Sequence, residues 1–363
     1  MDYAKRVRRL RERLAQERVR GLVVSYLPNV RYLTGFSGSN GLLWVSPNAV
    51  RLWTDSRYRE QVASEVAGVG VSIPPQGTLW EALGRHLQRH TARRAGTRIA
   101  RVAVESDHIT LAEWERLRAS VPGLQPSRSW VEELRAIKEP EEIAAIRAAV
   151  ELGSSVFEAA LEKIRPGMRE TEVAGLIEFG LRQAGGEGVA FETLVASGRR
   201  GARVHARASS KPVENKDFVI LDYGVKLAGY MSDMTRTVCV GRPSQLGRDR
   251  YRAVLDAQLA AIAAVRPGVA AAKVDLAARR VLQQAGLGPS FVHSTGHGLG
   301  LEVHESPRVA SRSADRLAAG NVITIEPGIY LRAWGGIRIE DVIVVTEQGA
   351  EVMTPTSKRL LSV

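Results

Sequence analysis

The 363-residue sequence predicts two domains, an α/β domain over residues 1–132 followed by an α+β domain over 133–363 that arose by internal duplication. Three observations carry this. The chain is longer than a typical single domain; its first third alternates helical and strand patterns; and its remainder contains two segments that align without a gap at an offset of 101 residues.

In the first domain Val7, Leu10 and Leu14 recur at helical spacing within a basic run, predicting a surface helix to about Arg18. An apolar strand Gly21 to Ser25 follows, then a loop, then strands Gly41 to Val45 and Val50 to Thr54 around a Pro47-Asn48 turn. Helices are expected over Leu79 to Arg89 and Leu111 to Ala119, with a strand near Ile99 to Val104. Lys138, Glu139 and Pro140 precede a helical Ala/Ile pattern, and a proline followed by Glu141 and Glu142 suits a helix N-terminus. The domain junction is placed in the stretch Val131 to Ile143 that holds them.

The duplication appears in Arg165-Pro-Gly through Gln183-Ala-Gly and in Arg266-Pro-Gly through Gln284-Ala-Gly, with eight identities in twenty-one positions. In each copy a Pro-Gly turn opens an amphipathic helix and an Ala-Gly pair closes it.

Composition narrows the function classes. An apolar fraction of 44% and a charged fraction of 25% are those of a globular protein. No apolar run reaches bilayer-spanning length and no apolar segment follows the charged start, so no membrane association and a cytoplasmic location are expected. The single cysteine, Cys239, fits a reducing compartment and reads as a strand residue. A net charge of +12 permits an acidic partner, but the arginines are scattered and no nucleic-acid motif accompanies them, so no nucleic-acid binding is expected.

Carboxylates then appear where apolar residues belong. Phe218 to Tyr223 and Tyr230 to Val240 read as two apolar strands around a short turn. With the turn centred between Leu227 and Ala228, Asp222 faces Asp233 directly. Val322 to Tyr330 and Gly336 to Val345 form a second hairpin whose centre at Ala333 sets Glu326 opposite Glu340. Buried like charges facing each other destabilise a sheet. Exposure, or pairing with Arg236 and Arg338, would relieve the repulsion, but divalent cations do so more completely. Oxygen-rich ligation with an imidazole suits manganese, with cobalt or zinc as alternatives, and two metals sharing carboxylates can activate a water as nucleophile. Between the hairpins, His293, His297 and His304 fall within twelve residues, with glycines on both sides of His297.

These residues resemble the pita-bread metallopeptidases: aminopeptidase P, prolidase, methionine aminopeptidase and creatinase. The motifs are LDYG at Asp222, SDMTRT at Asp233, GHG at His297, IEPG at Glu326 and RIED at Glu340. The resemblance runs from about Lys138 to Val345, and more weakly over a creatinase-like N-terminal domain through Tyr32-Leu-Thr-Gly35-Phe and Thr54-Asp-Ser-Arg57-Tyr58. It implies a pita-bread catalytic domain with a pseudo-two-fold axis, two divalent ions held by Asp222, Asp233, His297, Glu326 and Glu340, and a homodimer in which the N-terminal domain limits substrate length. The proline-directed branch is implied by His205, Phe191 and the His-Glu-x-Pro-Arg pattern of His304 to Arg308. One departure is His205-Ala206, where that branch has His-Gly.

By that resemblance Glu326 shuttles a proton, His304 stabilises the oxyanion and His205 positions a proline-containing peptide. Phe191 and Val303 would line the proline pocket, although both also read as core residues. Arg308 would meet a substrate carboxylate or a neighbouring acid, while Arg338 orients a ligand carboxylate and His293 supports the ligand set. The expected activity is Xaa-Pro aminopeptidase, with Xaa-Pro dipeptidase as the alternative. Outside the peptidases stand a catalytically dead binding module and a creatinase-like, metal-independent hydrolase of small amidines.

Overall fold

Val7, Leu10 and Leu14 lie buried along one side of the helix Tyr3–Gln16, whose first turn is capped by the Asp2 carboxylate accepting from Lys5 N–H at 2.8 Å. This helix opens a computed structural model that describes residues 1–91 and 100–363, which form two compact units, Met1–Arg135 and Ala136–Val363.

The first unit is built on a six-stranded mixed sheet. Its order is Gly70–Ser72, Val50–Trp53, Leu42–Val45, Leu22–Val24, Val102–Glu105, Leu124–Ser127. Helices Leu79–Thr91 and Leu111–Ser120 supply Leu79, Leu83, Leu87 and Leu117 to a core against Val23, Val102 and Val104. Ile99, at the start of the expected strand, lies outside the described residues. The stretch expected to be a loop after Ser25 contains a helix, Leu27–Thr34. No side chain of its own N-cap residue, Tyr26, caps it; instead the Glu105 carboxylate accepts from Ser25 N–H at 2.8 Å and Tyr26 N–H at 2.9 Å. A cap supplied from 79 residues away leaves no local sequence signal.

The second unit repeats its parts. Helices Pro140–Leu161 and Glu170–Gln183 precede a three-stranded sheet of Leu194–Ser197, Phe218–Tyr223 and Met234–Cys239. Helices Gln245–Ala264 and Ala271–Gln284 precede a five-stranded sheet in which Val322–Ile325 pairs with Asp341–Thr346. The second helix of each pair starts 101 residues apart (271 − 170) and ends 101 apart (284 − 183). The opening glycines Gly167 and Gly268 have φ of 91° and 79°, a left-handed backbone that glycine adopts without strain. Cys239 is buried in its strand. Among the described residues no helix is long and apolar enough to cross a membrane.

One register differs from expectation. Asp222 opposes Thr235, not Asp233. The hairpin turns at Ala228 and Gly229, with φ of 50° and 81°, flanked by the pair Leu227 and Tyr230. Two consecutive positive φ values make the two-residue type I′ turn, which moves the pairing by two residues. Because side chains alternate across a strand, a two-residue shift keeps Asp222 and Asp233 on one face as diagonal neighbours. The second hairpin has its expected register: Ile325 opposes Asp341 and Gly328 opposes Arg338, bracketing Glu326 and Glu340.

Candidate metal centre and active site

Glu326 and Glu340 stand where one ladder ends and the next begins, so their backbones bond elsewhere. Glu326 N–H donates to Thr295 O at 2.7 Å and Glu340 N–H to Thr235 O at 3.1 Å. Pro327 has no N–H to continue the ladder. The interruption turns both carboxylates inward. His297, flanked by Gly296 and Gly298, lies on a three-residue strand whose glycines approach Thr324 and Ser306 backbone too closely for any Cβ.

Asp233, His297 and Glu340 each offer a ligand atom, all within 4.8 Å of one another. His297 Nε2 is 3.6 Å from Asp233 Oδ2 and 3.4 Å from Glu326 Oε1. Its Nδ1 lies 3.0 Å from Gly298 O, an arrangement that puts the ring proton on Nδ1 and leaves the Nε2 lone pair facing the acids. Asp222 accepts from Arg338 Nη2. Thr235 Oγ1 donates to Glu340 Oε2 at 2.7 Å, while Glu340 Oε1 is buried with no hydrogen-bond partner among the described residues.

Burial, then the negative charges of Glu340, Asp222 and Glu326, holds the Asp233 carboxyl well above the usual range. Burial, then the charges of Glu326 and Asp222, likewise raises Glu340, and burial pushes Glu326 up to about 7. Burial also lowers the His297 imidazole, favouring the neutral ring that coordinates metal. Clustered acids that resist ionising together, an orphaned carboxylate oxygen and a neutral imidazole fit a divalent cation.

The cluster forms the base of a cavity of about 780 Å³. Every candidate site residue named from the sequence lines it: the four acids and the His297 imidazole, together with Phe191, His205, His293, Val303, His304, Arg308 and Arg338. Asp222, Asp233 and Glu340 are buried, whereas His205, His304 and Arg308 are exposed at the mouth. The His304 ring stands edge-on to His297 with centroids 4.3 Å apart, and burial followed by the neighbouring His297 lowers its basicity. Phe191 and Val303 are half-buried. Ala206 is buried with Ala196 and Ile220 against Tyr330, so the departure from glycine fills core space and does not line the cavity.

Sequence reasoning missed Tyr330 and Thr235. Arg338 Nη1 donates to Tyr330 Oη at 2.7 Å, and Tyr330 O–H is 2.9 Å from His293 Nε2. Arg338 Nε donates to Thr235 Oγ1 at 3.0 Å. The signal was their spacing: Thr235 and Tyr330 stand an even number of residues from Asp233 and Glu326.

Residues 144–347 match Metallopeptidase family M24, and residues 6–137 match the Creatinase/Prolidase N-terminal domain. The chain belongs to metallopeptidase family M24. An uncharacterized peptidase of Bacillus subtilis, YqhT, is 38% identical over 358 residues, 98% of this chain and 99% of that protein. The solved structure of an Xaa-Pro dipeptidase from Bacillus anthracis superposes with a TM-score of 0.95 at 34% identity, covering 100% of both chains. An X-Pro aminopeptidase from Thermotoga maritima gives a TM-score of 0.87 at 33% identity, covering 96% of this chain and 99% of the other. The metallopeptidase thus has the pita-bread catalytic fold of these relatives, preceded by a creatinase-type domain, and family membership implies use of a divalent metal.

Proposed function

We propose that this metallopeptidase is an Xaa-Pro aminopeptidase that releases the first residue from peptides with proline second. It acts with two divalent ions, manganese foremost with cobalt or zinc as alternatives, held by Asp222, Asp233, His297, Glu326 and Glu340. The observation that carries the reading is the acid-rich, partly orphaned ligand cluster at the base of a cavity walled by Phe191 and Val303. A prolyl ring needs shape and apolar contact, which those two side chains provide. When bound, the ions supply Lewis acidity at the scissile carbonyl and acidify a water.

The chain's own residues do the rest. Glu326 takes a proton from the attacking water and delivers it to the leaving nitrogen, His304 donates to the carbonyl oxygen as negative charge develops, and His205 positions the substrate. Arg338 orients Asp222 and, through Tyr330, supports His293. The enzyme works as a homodimer, which light scattering would contradict by showing monomer alone.

Arg308, exposed at the mouth, favours a second reading as an Xaa-Pro dipeptidase, because its planar fork suits the free carboxylate of a dipeptide. The deciding experiment compares kcat/KM for an Xaa-Pro dipeptide and an Xaa-Pro tripeptide with the same first residue. Preference for the tripeptide is expected; preference for the dipeptide assigns the second reading, and cleavage of neither removes proline specificity.

A further inference from the structure

Lys138 stands where the sequence passes from one domain to the next, and the reaction outlined above leaves it without a role. Its backbone N–H donates to Gly320 O at 2.9 Å. Its side chain is 1% exposed and sets Nζ 3.0 Å from Oε2 of Glu305, whose side chain is 6% exposed. A buried ion pair is weak evidence for stability, since removing two charges from water offsets much of their attraction. What such a pair fixes is the geometry of the segments it joins.

Glu305 opens the strand Glu305–Val309, directly after the connection from Gly296–Gly298 that carries Val303 and His304. Its Oε1 accepts from Glu302 N–H at 3.1 Å, and Gly300 N–H donates to Glu302 O at 3.0 Å. A Cβ at Gly300 would come within 2.6 Å of the Glu305 carboxylate, so the loop is wrapped closely around that group. Met231 N–H donates to Gly300 O at 2.8 Å, and Tyr230 O–H donates to Glu142 Oε1 at 2.8 Å. Residues 138–142 therefore brace the loop directly and again through the strand leading to Asp233. Glu305 immediately follows His304, whose ring meets His297.

We propose that Lys138 is a positioning residue for hydrolysis: its ion pair with Glu305 fixes the loop that sets Val303 and His304 over the base of the cavity. The proposal rests on the Xaa-Pro peptidase reading of the site.

The test is a kinetic cycle on an Xaa-Pro substrate. It uses the metal-loaded wild type, Lys138→Met, Lys138→Arg, His304→Asn and the double variant Lys138→Met with His304→Asn, with metal content and Tm recorded for each. Lys138→Met lowers kcat about 10- to 100-fold, the scale of a misplacement near 1 Å, with little change in KM or metal content. Lys138→Arg recovers most of the loss, and Lys138→Met causes no further loss once His304 is replaced. Equal losses in both backgrounds, full kcat in Lys138→Met, or full kcat in His304→Asn would each overturn the proposal. If Lys138→Met does not fold, Lys138→Met with Glu305→Gln, which removes both charges together, takes its place with the same expectation. Ring signals of ¹⁵N-histidine in the zinc-loaded protein, free of paramagnetic broadening, give an independent readout: His304 shifts and broadens in Lys138→Met while His108, stacked on Tyr26 in the first unit, does not, and an unchanged His304 signal refutes the idea. A wild type that cleaves no Xaa-Pro substrate sinks the reading of function, and the histidine spectra then decide the loop on their own.

Discussion

At Glu340 one carboxylate oxygen accepts from Thr235 and the other is buried with no partner among the described residues, which puts the strongest demand for a cation on a single atom. Glu340→Ala is expected to abolish turnover and lower metal content; an active variant with full metal content would remove it from the ligand set. Glu326→Gln keeps the carboxyl's shape but cannot carry the proton. It should retain the fold by circular dichroism while losing most of kcat, and near-normal turnover would exclude Glu326 from proton transfer. These acids were legible because a carboxylate inside Val-Ile-Leu-Asp or Ile-Thr-Ile-Glu contradicts its surroundings. Tyr330 and Thr235 were not, because tyrosine and threonine are ordinary strand residues, and only their partners Arg338, His293 and Glu340 give them a role.

Among the elements, the Asp222 hairpin shows how a turn sets what faces what. Gly229 has a φ of 81°, so Gly229→Ala should destabilise the protein by about 1–2 kcal/mol in urea titration, and no change would argue against the two-residue turn. The sequence displayed both strands and the glycine, but Ala228 is not a residue that advertises a positive φ, which is why the register was misplaced by two.

Glu105 makes a second element-scale case, since it caps a helix that the sequence concealed. Burial raises its carboxyl from 4.5 to about 7, against the hydrogen bonds from Tyr26, Asn29 and Ser25. The folded state therefore holds a proton between these values that the unfolded chain has lost, and this group's contribution to stability falls as pH rises from about 4.5 to 7. Glu105→Gln should flatten the decline of Tm over that window; an unchanged slope would show that the group does not titrate there.

For the molecule as a whole, duplication is what made the site readable. Two copies of a helix-and-hairpin unit, with their helices 101 residues apart, each contribute a pair of acids, and the histidine-bearing strand between the hairpins offers a nitrogen atom that could complete a metal site. The duplicated helices, the two acid-bearing hairpins and the candidate ligands followed from periodicity and motif. The short strands Gly70–Ser72 and Leu124–Ser127 did not, because three or four residues carry too little alternation to stand out. Substrate length is the choice that sequence and fold leave to kinetics, since both activities need the same base and the same apolar wall. The central claim, metal-dependent hydrolysis at this cluster, is tested most directly by measuring metal content and turnover of an Xaa-Pro peptide on the same sample before and after exhaustive chelation. About two divalent ions per chain in the active protein, loss of turnover on their removal and its return with manganese are predicted; full turnover in metal-free protein would contradict the account.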